Sequence, residues 1–577
     1  METNARQGGW THGKGSFGVK RWLQIVCVCL FTVFAAQAGD VVVGNGQTVS
    51  TIIGSGRSDN NSSVHVENGG LVDTGNSTAI SLGDSTLNTS GTLRLDADVS
   101  IDSLRGVFLN AGGGTIYTQG NTGVVDAQID GLGALTKTGT GTLVLGNAAN
   151  SYAGGTNVLN GTVAIADGNA LGGGPLFLGD SVGNTTGTLR LDADADLGSR
   201  RATLVSGSAT VDTQGYSGVI GGAVDGAGKL VKAGGGTLAL YGSNSYQGGT
   251  DLNQGTLAVN SGQSLGADGT LLTMQDQTTL RLDADVDLST RPVTLASGVG
   301  TVDTQSNTGF VRGNIDGAGK LAKAGDGTLV LYGANTYQGG TDLNQGTLAI
   351  DSDQSLGAGG ALLTMQDQTM LRLDADVAMT SRPVTLASGA ATIDTQTNTG
   401  LMQGNVDGDG KLVKTGSGTL VLYGINSYRG GTDLNQGLIA INSDQSLGAA
   451  GGRLTMQDQT TLRLDADADM TSRPVTLASG AGTVDTQGNT GWMRGNVDGA
   501  GRLVKEGAGT VRSFFTATTA IRAAPPSMPA PWPSTPIIRW APQEPDSTWP
   551  TEPSFASTTT SPLTAGSSPW GQALRSR

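Results

Sequence analysis

The sequence predicts an all-β chain folded as a right-handed parallel β-helix, with a disordered N-terminal signal and a disordered C-terminal tail. Three observations lead to this prediction. Glycine supplies 94 of the 577 residues, far more than in a helical enzyme. Closely similar segments return every 91 residues. Within them, short apolar and alternating stretches are separated by Gly-Gly, Asp-Gly and Asn-Gly turns, which is typical of strands.

Composition narrows the function. The net charge is −14, and no cluster of basic residues is present in the body of the chain, so we expect no nucleic-acid partner. Two Cys and two His leave little material for thiol, zinc or His-based chemistry. We therefore expect no enzymatic activity, no catalytic or metal site and no cofactor.

Residues 1–38 have the features of a secretory signal peptide. Lys20 and Arg21 precede an apolar stretch over 22–35, which is too short to span a bilayer. Ala36 and Ala38 form a small-x-small cleavage pattern, so we predict cleavage after Ala38 and the export machinery as a partner. Both cysteines lie inside this segment, and the mature chain is expected to contain none.

The repeats fill the predicted passenger body, residues 39–510. Similar segments open at Lys232, Lys323 and Lys414, and a more diverged copy opens at Lys137. A solenoid accommodates such repetition because each coil contacts only its neighbours. With about 20 to 25 residues per coil, a repeat fills about four coils. The recurrence also predicts a repeated face suited to multivalent binding.

Each copy contains the pattern GxGTLxLxGxNxYxGGTxxxxGTLxI, with small substitutions, in the segments 139–165, 234–259, 325–350 and 416–441. In the third copy the motif residues are Gly327, Thr328, Leu329, Tyr332, Gly333, Asn335, Tyr337, Gly339, Gly340 and Thr341. The pattern resembles the autotransporter-associated β-strand repeat of bacterial autotransporter (type V secretion) passengers. The resemblance implies an exported stalk, structural or adhesive, displayed at the cell surface by a C-terminal outer-membrane β-barrel. It also implies surface receptors or glycans of a host or a neighbouring cell as partners.

The composition changes abruptly near residue 511. After that point lie 12 of the 16 Pro but only 2 of the 94 Gly. Back-translation of 515–525 in a shifted frame permits YGNNSYxGGT, the counterpart of 423–432, and 529–542 permits a second repeat block. We infer a frame change near residue 511 and expect the tail, 511–577, to be disordered.

A translocator barrel needs roughly 250 or more residues, and none is recognisable in this sequence. The expectation from the sequence is therefore a passenger truncated before its barrel, with a periplasmic or secreted location for this product.

Other interpretations remain open. The Asp triplets, such as Asp283, Asp285 and Asp287, are expected to place carboxylates on one strand face at i, i+2 and i+4. They offer oxygens to calcium, although a solvated outer face also explains them. Two Gly-Asp-Ser turns, 83–85 and 179–181, are similar to nucleophile contexts, but only His65 is available as a base in the mature chain. The paired tyrosines of each repeat either stack on sugars or pack turns. An extracellular carbohydrate-active or carbohydrate-binding β-helix protein is the alternative function.

Overall fold

The computed structural model describes residues 41–43, 63–66, 80–83, 90–95, 97–101, 103, 106–182 and 185–513. The predicted signal peptide, with Ala36 and Ala38, lies outside the described residues, as does the predicted tail from 514 onward. The last described strand ends at Ser513, three residues beyond the boundary predicted at 510. Throughout the described ranges, no helix has the length and apolar character needed to cross a membrane.

The chain divides into two compact units, Met1–Phe177 and Leu178–Arg577. The first unit contains one 3-10 helix, Gly168–Leu171, among its described residues. Its strands are β1 (Val41–Val43), β2 (Ser63–Val66), β3 (Ile80–Leu82), β4 (Gly91–Leu95), β5 (Val99–Ile101), β6 (Gly106–Leu109), β7 (Gly114–Tyr117), β8 (Thr122–Val125), β9 (Gln128–Gly131), β10 (Leu135–Thr138), β11 (Thr142–Leu145), β12 (Thr156–Val158) and β13 (Gly161–Ile165). β14 (Leu176–Leu178) lies at the division. The described pairs in this unit are parallel, in the orders β1-β2-β4-β7-β10-β12, β3-β6-β9 and β5-β8-β11-β13.

The second unit begins with six strands before the first of three closely similar repeats. They are β15 (Gly187–Leu191), β16 (Ala195–Asp196), β17 (Ala202–Leu204), β18 (Ser208–Asp212), β19 (Ser217–Ile220) and β20 (Val224–Asp225). The first of these three repeats contains β21 (Lys229–Ala233), β22 (Thr237–Leu240), β23 (Thr250–Leu252), β24 (Thr256–Val259), the 3-10 helix Gly262–Leu265, β25 (Leu272–Met274), β26 (Thr278–Leu282), β27 (Val286–Asp287), β28 (Val293–Leu295), β29 (Val299–Asp303), β30 (Thr308–Val311) and β31 (Ile315–Asp316).

The remaining two repeats have the same order of elements. The first contains β32 (Lys320–Ala324), β33 (Thr328–Leu331), β34 (Thr341–Leu343), β35 (Thr347–Ile350), the 3-10 helix Asp353–Leu356, β36 (Leu363–Met365), β37 (Met370–Leu373), β38 (Val377–Met379), β39 (Val384–Leu386), β40 (Ala390–Asp394), β41 (Thr399–Met402) and β42 (Val406–Asp407). The second contains β43 (Lys411–Thr415), β44 (Thr419–Leu422), β45 (Thr432–Leu434), the strand β46 (Leu438–Ile441), the 3-10 helix Asp444–Leu447, β47 (Leu454–Met456), β48 (Thr460–Leu464), β49 (Ala468–Asp469), β50 (Val475–Leu477), β51 (Ala481–Asp485), β52 (Thr490–Met493) and β53 (Val497–Asp498), and is followed by β54 (Arg502–Glu506) and β55 (Thr510–Ser513).

Successive coils pair in parallel, so both units are parallel β-solenoids, as the sequence predicts. In the second unit, Thr328 pairs with Thr347 of the following coil, and Thr347 pairs with Met370 of the next. These two steps are 347−328 = 19 and 370−347 = 23 residues, so the coils are close to the expected length. Inward and outward side chains alternate, as the burial of β26 shows, and Leu, Val, Ile and Met fill the interior.

Each coil of the second unit has three sides. Side I contains β17-β20 and, after a gap of two coils, the ladder β27-β30-β33-β35-β37-β40-β43-β45-β47-β50-β53. Side III contains β16-β19-β22-β24-β26-β29-β32-β34-β36-β39-β42. Side II contains β15-β18-β21-β23-β25-β28-β31 and, after a gap of two coils, β38-β41-β44-β46-β48-β51-β54. The chain visits the sides in the constant order II, III, I.

Candidate functional site: the repeat motif and its outer cluster

The start of the motif turns a corner and enters β33. A Cβ atom on Gly327 would lie 2.0 Å from the carbonyl oxygen of Asn307 in the preceding coil, so only glycine fits there. Thr328 then donates its backbone N–H to the same carbonyl, at 3.0 Å. Leu329 points inward and is fully buried. These three motif residues therefore set the coil spacing and the core.

Asn335 takes the place of a strand where the ladder of side II is interrupted. Its Oδ1 accepts the backbone N–H of Ile315 in the coil before, at 2.8 Å. Its Nδ2 donates to the carbonyl of Ser355 in the coil after, at 2.6 Å. One buried side chain thus supplies hydrogen bonds to both neighbouring coils, which explains why asparagine recurs here in every copy.

Tyr337 is an interior residue. Its side chain is fully buried, and its hydroxyl shares a hydrogen bond of 2.7 Å with Thr341 Oγ1. Burial raises the pKa of the Tyr337 hydroxyl, which stays protonated. Thr341 in turn donates to the carbonyl of Leu356, at 3.3 Å. Of the two interpretations of this tyrosine, packing is correct and sugar stacking is wrong.

The glycines that flank Tyr337 are required by close backbone approach. Gly340 has φ of +85°, and a Cβ atom there would lie 2.5 Å from the carbonyl oxygen of Leu362. Added Cβ atoms on Gly333 and Gly339 would lie 2.5 Å and 2.6 Å from backbone atoms of the preceding coil. The fixed glycines of the motif thus lie where neighbouring coils stack closely.

Tyr332, by contrast, lies on the outside. Its hydroxyl donates to Asp374 Oδ2 at 2.6 Å, and Asp374 also accepts two hydrogen bonds from Arg372, at 2.7 and 2.9 Å. Because Leu331 pairs with Ile350, which pairs with Leu373, the tyrosine reaches across an entire coil. Burial and the hydrogen bond to the carboxylate raise the Tyr332 pKa.

The other two closely similar repeats contain the same Tyr-Asp-Arg contact. Tyr241 donates to Asp283 at 2.7 Å, and Tyr423 donates to Asp465 at 2.6 Å. Hydrogen bonding from Arg281 lowers the pKa of Asp283, and burial raises the pKa of Tyr423 to about 12. We call Tyr, Asp and Arg in this arrangement the outer cluster.

A variable pair of residues adjoins the outer cluster of one repeat. Phe310 faces outward on β30, and the guanidinium of Arg312 lies 5.7 Å from the Phe310 ring centre and 6.0 Å from that of Tyr332. The corresponding pairs in the repeats before and after are Val219 with Gly221, Leu401 with Gln403, and Trp492 with Arg494. Arg494 and Arg512 lie 4.3 and 4.8 Å from the Trp492 ring centre.

Buried cations were not anticipated from the sequence. Lys323 points inward and is fully buried, and its Nζ donates to the carbonyls of Ala324, Gly325 and Gln345 at 2.8, 2.6 and 3.1 Å. Burial lowers the pKa of Lys323 to about 8. The corresponding Lys137, Lys232 and Lys414 make the same three contacts within their own copies. The fixed lysine at the opening of every copy was the available signal.

Arg382 is buried in the same way and holds the end of a 3-10 helix. Its Nε lies 2.6 Å from Asp353 Oδ1, while its terminal nitrogens donate to carbonyls that include those of Leu356 and Ala361, at 3.1 and 2.7 Å. In the preceding repeat, Gly262 replaces this aspartate. Burial there lowers the pKa of the corresponding arginine, Arg291, although its carbonyl contacts persist.

The Asp triplets do not line one strand, contrary to the sequence interpretation. Asp283 follows β26, Asp285 lies in the turn and Asp287 ends β27. Asp285 accepts the N–H of Thr308 at 2.7 Å, and Asp287 accepts that of Ser289 at 2.8 Å. Asp283 belongs to the outer cluster. The carboxylates thus close corners, and the described residues contain no group of three His, Cys, Asp or Glu placed to hold a metal ion.

The nucleophile-like turn is also structural. Asp180 accepts the N–H of Val182 at 2.9 Å, so its carboxylate closes a local turn. Ser181 is exposed beside it. Of the other Gly-Asp-Ser turn, only Gly83 lies within the described residues, and the side chain of His65 is outside them.

Comparison with known proteins identifies the same repeat segments as the sequence motif. A family profile named passenger-associated-transport-repeat matches residues 135–165, 230–259, 321–350 and 412–441, which end where the four sequence motifs end. The chain carries the repeats of an autotransporter passenger. The resemblance found in the sequence is confirmed, and a passenger of this kind is a secreted or cell-surface protein.

Two curated relatives, one named an autotransporter and one a probable autotransporter, align with most of this chain. It is 31% identical over 420 residues to the adhesin BmaC autotransporter of Brucella suis biovar 1 (strain 1330), covering 65% of this chain and 12% of that protein. It is 26% identical over 488 residues to the probable autotransporter YfaL of Escherichia coli (strain K12), covering 74% of this chain and 38% of that protein. The passenger chain thus spans well under half of either relative.

Proposed function

We propose that the passenger solenoid is a non-enzymatic adhesive scaffold that binds surface receptors or glycans of a host or neighbouring cell through its outer side chains. The observation that carries this proposal is the patch formed by Phe310, Arg312, Tyr332 and Asp374. Aromatic faces stack on the C–H groups of sugars, and the adjacent guanidinium and carboxylate offer hydrogen bonds to hydroxyls. A protein related to this chain is named an adhesin, which supports the same proposal.

The use of interior residues supports a scaffold rather than an enzyme. Three side chains have functional groups of the kind that enzymes use in catalysis: Lys323, Arg382 and Tyr337. Each is buried and hydrogen-bonded to the backbone or to a neighbouring side chain. Catalysis requires such groups to reach a substrate. Here they stabilise the coil instead.

The test is glycan binding by the full chain and by a double variant, Phe310→Ala with Arg312→Ala. A matched control carries Leu401→Ala with Gln403→Ala, the corresponding positions of the next repeat. We expect the first variant to bind an acidic glycan about 10-fold more weakly than the parent, because stacking and the cation are both lost. The control retains parental affinity. Equal binding by both variants, or no binding of any glycan by the parent, would overturn the proposal.

We also propose export through the segment 1–38 with cleavage after Ala38. Mass spectrometry of the exported chain then finds Gly39 as its first residue. An Ala36→Leu, Ala38→Leu double variant is expected to accumulate uncleaved, since large residues do not fit the peptidase sites. Cleavage of that variant at the same bond would contradict the assignment.

A further inference from the structure

Each repeat of the second unit fills thirteen sides rather than a whole number of coils. From β21 to β31 the chain forms eleven strands, and two segments without a strand occupy the remaining two places, after β22 and after β24. Because a coil has three sides, thirteen sides are four coils and one further side. The sequence predicts about four coils per repeat. The additional side, one third of a coil, decides which direction a residue faces.

The interruptions in the ladders show the resulting shift. In the first of the three repeats, Ser245 donates its N–H to Val224 of β20, and the interruption precedes β27 on side I. In the next repeat, Thr336 donates to Ile315 of β31, and the interruption precedes β38 on side II. In the last, Ser427 donates to the final strand of the side III ladder, β42, and the next strand there is β49.

The outer clusters shift in the same direction. Tyr241 follows β22 on side III, Tyr332 follows β33 on side I, and Tyr423 follows β44 on side II. Equivalent side chains of consecutive repeats thus lie on three different sides. The single repeated face expected from the sequence is wrong for these residues.

We infer that the repeats form a threefold screw: each repeat moves an equivalent residue to the next side, and three repeats return it to the same side. The spacing of parallel strands gives about 21 Å along the axis for each repeat and about 62 Å for three. Every side then displays the complete outer surface of the repeat once in thirteen coils.

This geometry selects a kind of partner, a consequence that rests on the proposed function. A flat lattice of receptors on one side meets an equivalent outer cluster only every ~62 Å. A separate glycan chain meets one Tyr-Asp-Arg cluster on each of the three sides, and the cluster that has the Phe310–Arg312 pair beside it lies on side I. The surface therefore fits partners that bind one repeat at a time. Such a partner binds the solenoid whichever way the solenoid is rotated about its own axis.

Distances between paired spin labels test the screw in the full chain, with both native cysteines changed to serine. Labels replace the outward, half-buried threonines of equivalent strands: Thr203 of β17, Thr294 of β28, Thr385 of β39 and Thr476 of β50. Thr203 and Thr476 share side I, while Thr294 lies on side II and Thr385 on side III. A control pair joins Thr294 to Ala378 of β38, four coils away on side II.

The expected distance for the Thr294/Thr385 pair is about 29 Å, from ~21 Å along the axis and ~20 Å across the coil. The control pair is expected at about 19 Å and the Thr203/Thr476 pair at about 62 Å, from the same strand spacing. If the Thr294/Thr385 pair instead gave about the same distance as the control pair, equivalent residues would share a face and the screw would be refuted. That result would leave glycan binding untouched, whereas a failed binding assay with the expected distances would overturn only the proposed function.

A deletion provides a second test that depends on folding. Removal of 320–410 joins Gly319 to Lys411, so every coil keeps neighbours of its own type while all later residues move by one side. The screw predicts an unchanged thermal midpoint. Removal of 320–403, a segment of about four coils, keeps the sides but pairs unlike strands, and we expect a lower midpoint. A greater loss from the first deletion would contradict the equivalence of the three sides.

Discussion

Replacement of Asn335 by alanine isolates the hydrogen bonds that substitute for a strand. The side chain is 3% exposed, accepts from the N–H of Ile315 at 2.8 Å and donates to the carbonyl of Ser355 at 2.6 Å. Alanine leaves both backbone groups buried without these partners, at about 1 to 3 kcal/mol each. We expect a local loss of about 3 kcal/mol, which corresponds to roughly 100-fold faster opening at this position.

Hydrogen exchange followed by mass spectrometry measures this effect, because a long solenoid opens locally and a single unfolding free energy is poorly defined. The peptide that contains the amide of Ile315 is expected to lose about two decades of protection. Asn344→Ala is the matched control, since that side chain is exposed and its known bond, to Lys323, uses the backbone. Exchange at Ile315 within threefold of the parent would refute the claim that the side chain replaces the ladder.

Three further substitutions test the buried cations and the tight turns. Lys323→Met leaves three carbonyls without their donor and lowers the urea midpoint at pH 7. Since burial lowers the Lys323 pKa from 10.5 to about 8, the unfolded chain binds more protons between these values, so stability rises with pH across that window. The variant is expected to show a smaller rise between pH 7 and 10; an equal rise would contradict the assignment. Arg382→Lys is expected to lower the urea midpoint because a lysine cannot reproduce its fork of donors, whereas Arg429→Lys, at an exposed position, is expected to leave the midpoint unchanged. Equal midpoints for the two variants would contradict this explanation. Gly340→Ala lowers the thermal midpoint through its φ of +85° and the contact with a carbonyl at 2.5 Å, while Gly359→Ala, which has open space, leaves it unchanged. A neutral Gly340 variant would show that the turn relaxes.

The sequence was most informative about elements that depend on short-range patterns. Alternation in stretches such as Leu280 to Leu282 identified strands, because the period of two is a property of the extended backbone itself. Recurrence of the motif identified the solenoid, since stacked coils place the same demands on each copy. The glycines at Gly327 and Gly340 were recognisable as turn residues for the same local reason.

Burial within a fixed pattern was harder to predict. Tyr332 and Tyr337 are five residues apart and both recur in the three closely similar repeats. One nevertheless lies over an Asp-Arg pair two coils away, and the other is enclosed in the interior. The partner of Tyr332 is 42 residues distant in sequence, and no local pattern links them. A lysine on the inward side of β32 was likewise unexpected, because three carbonyls brought together by the fold make its burial tolerable.

By itself, the sequence determined the class of fold, the repeat and its family, because strand alternation, turn glycines and recurrence are written along the chain. Tertiary structure alone decided which side each residue faces. A coil closes after three sides while the repeat continues for thirteen, and the remainder of one side accumulates from copy to copy. That remainder depends on where the corners fall in space, so it separates Tyr241, Tyr332 and Tyr423 onto three sides even though their sequences are nearly the same.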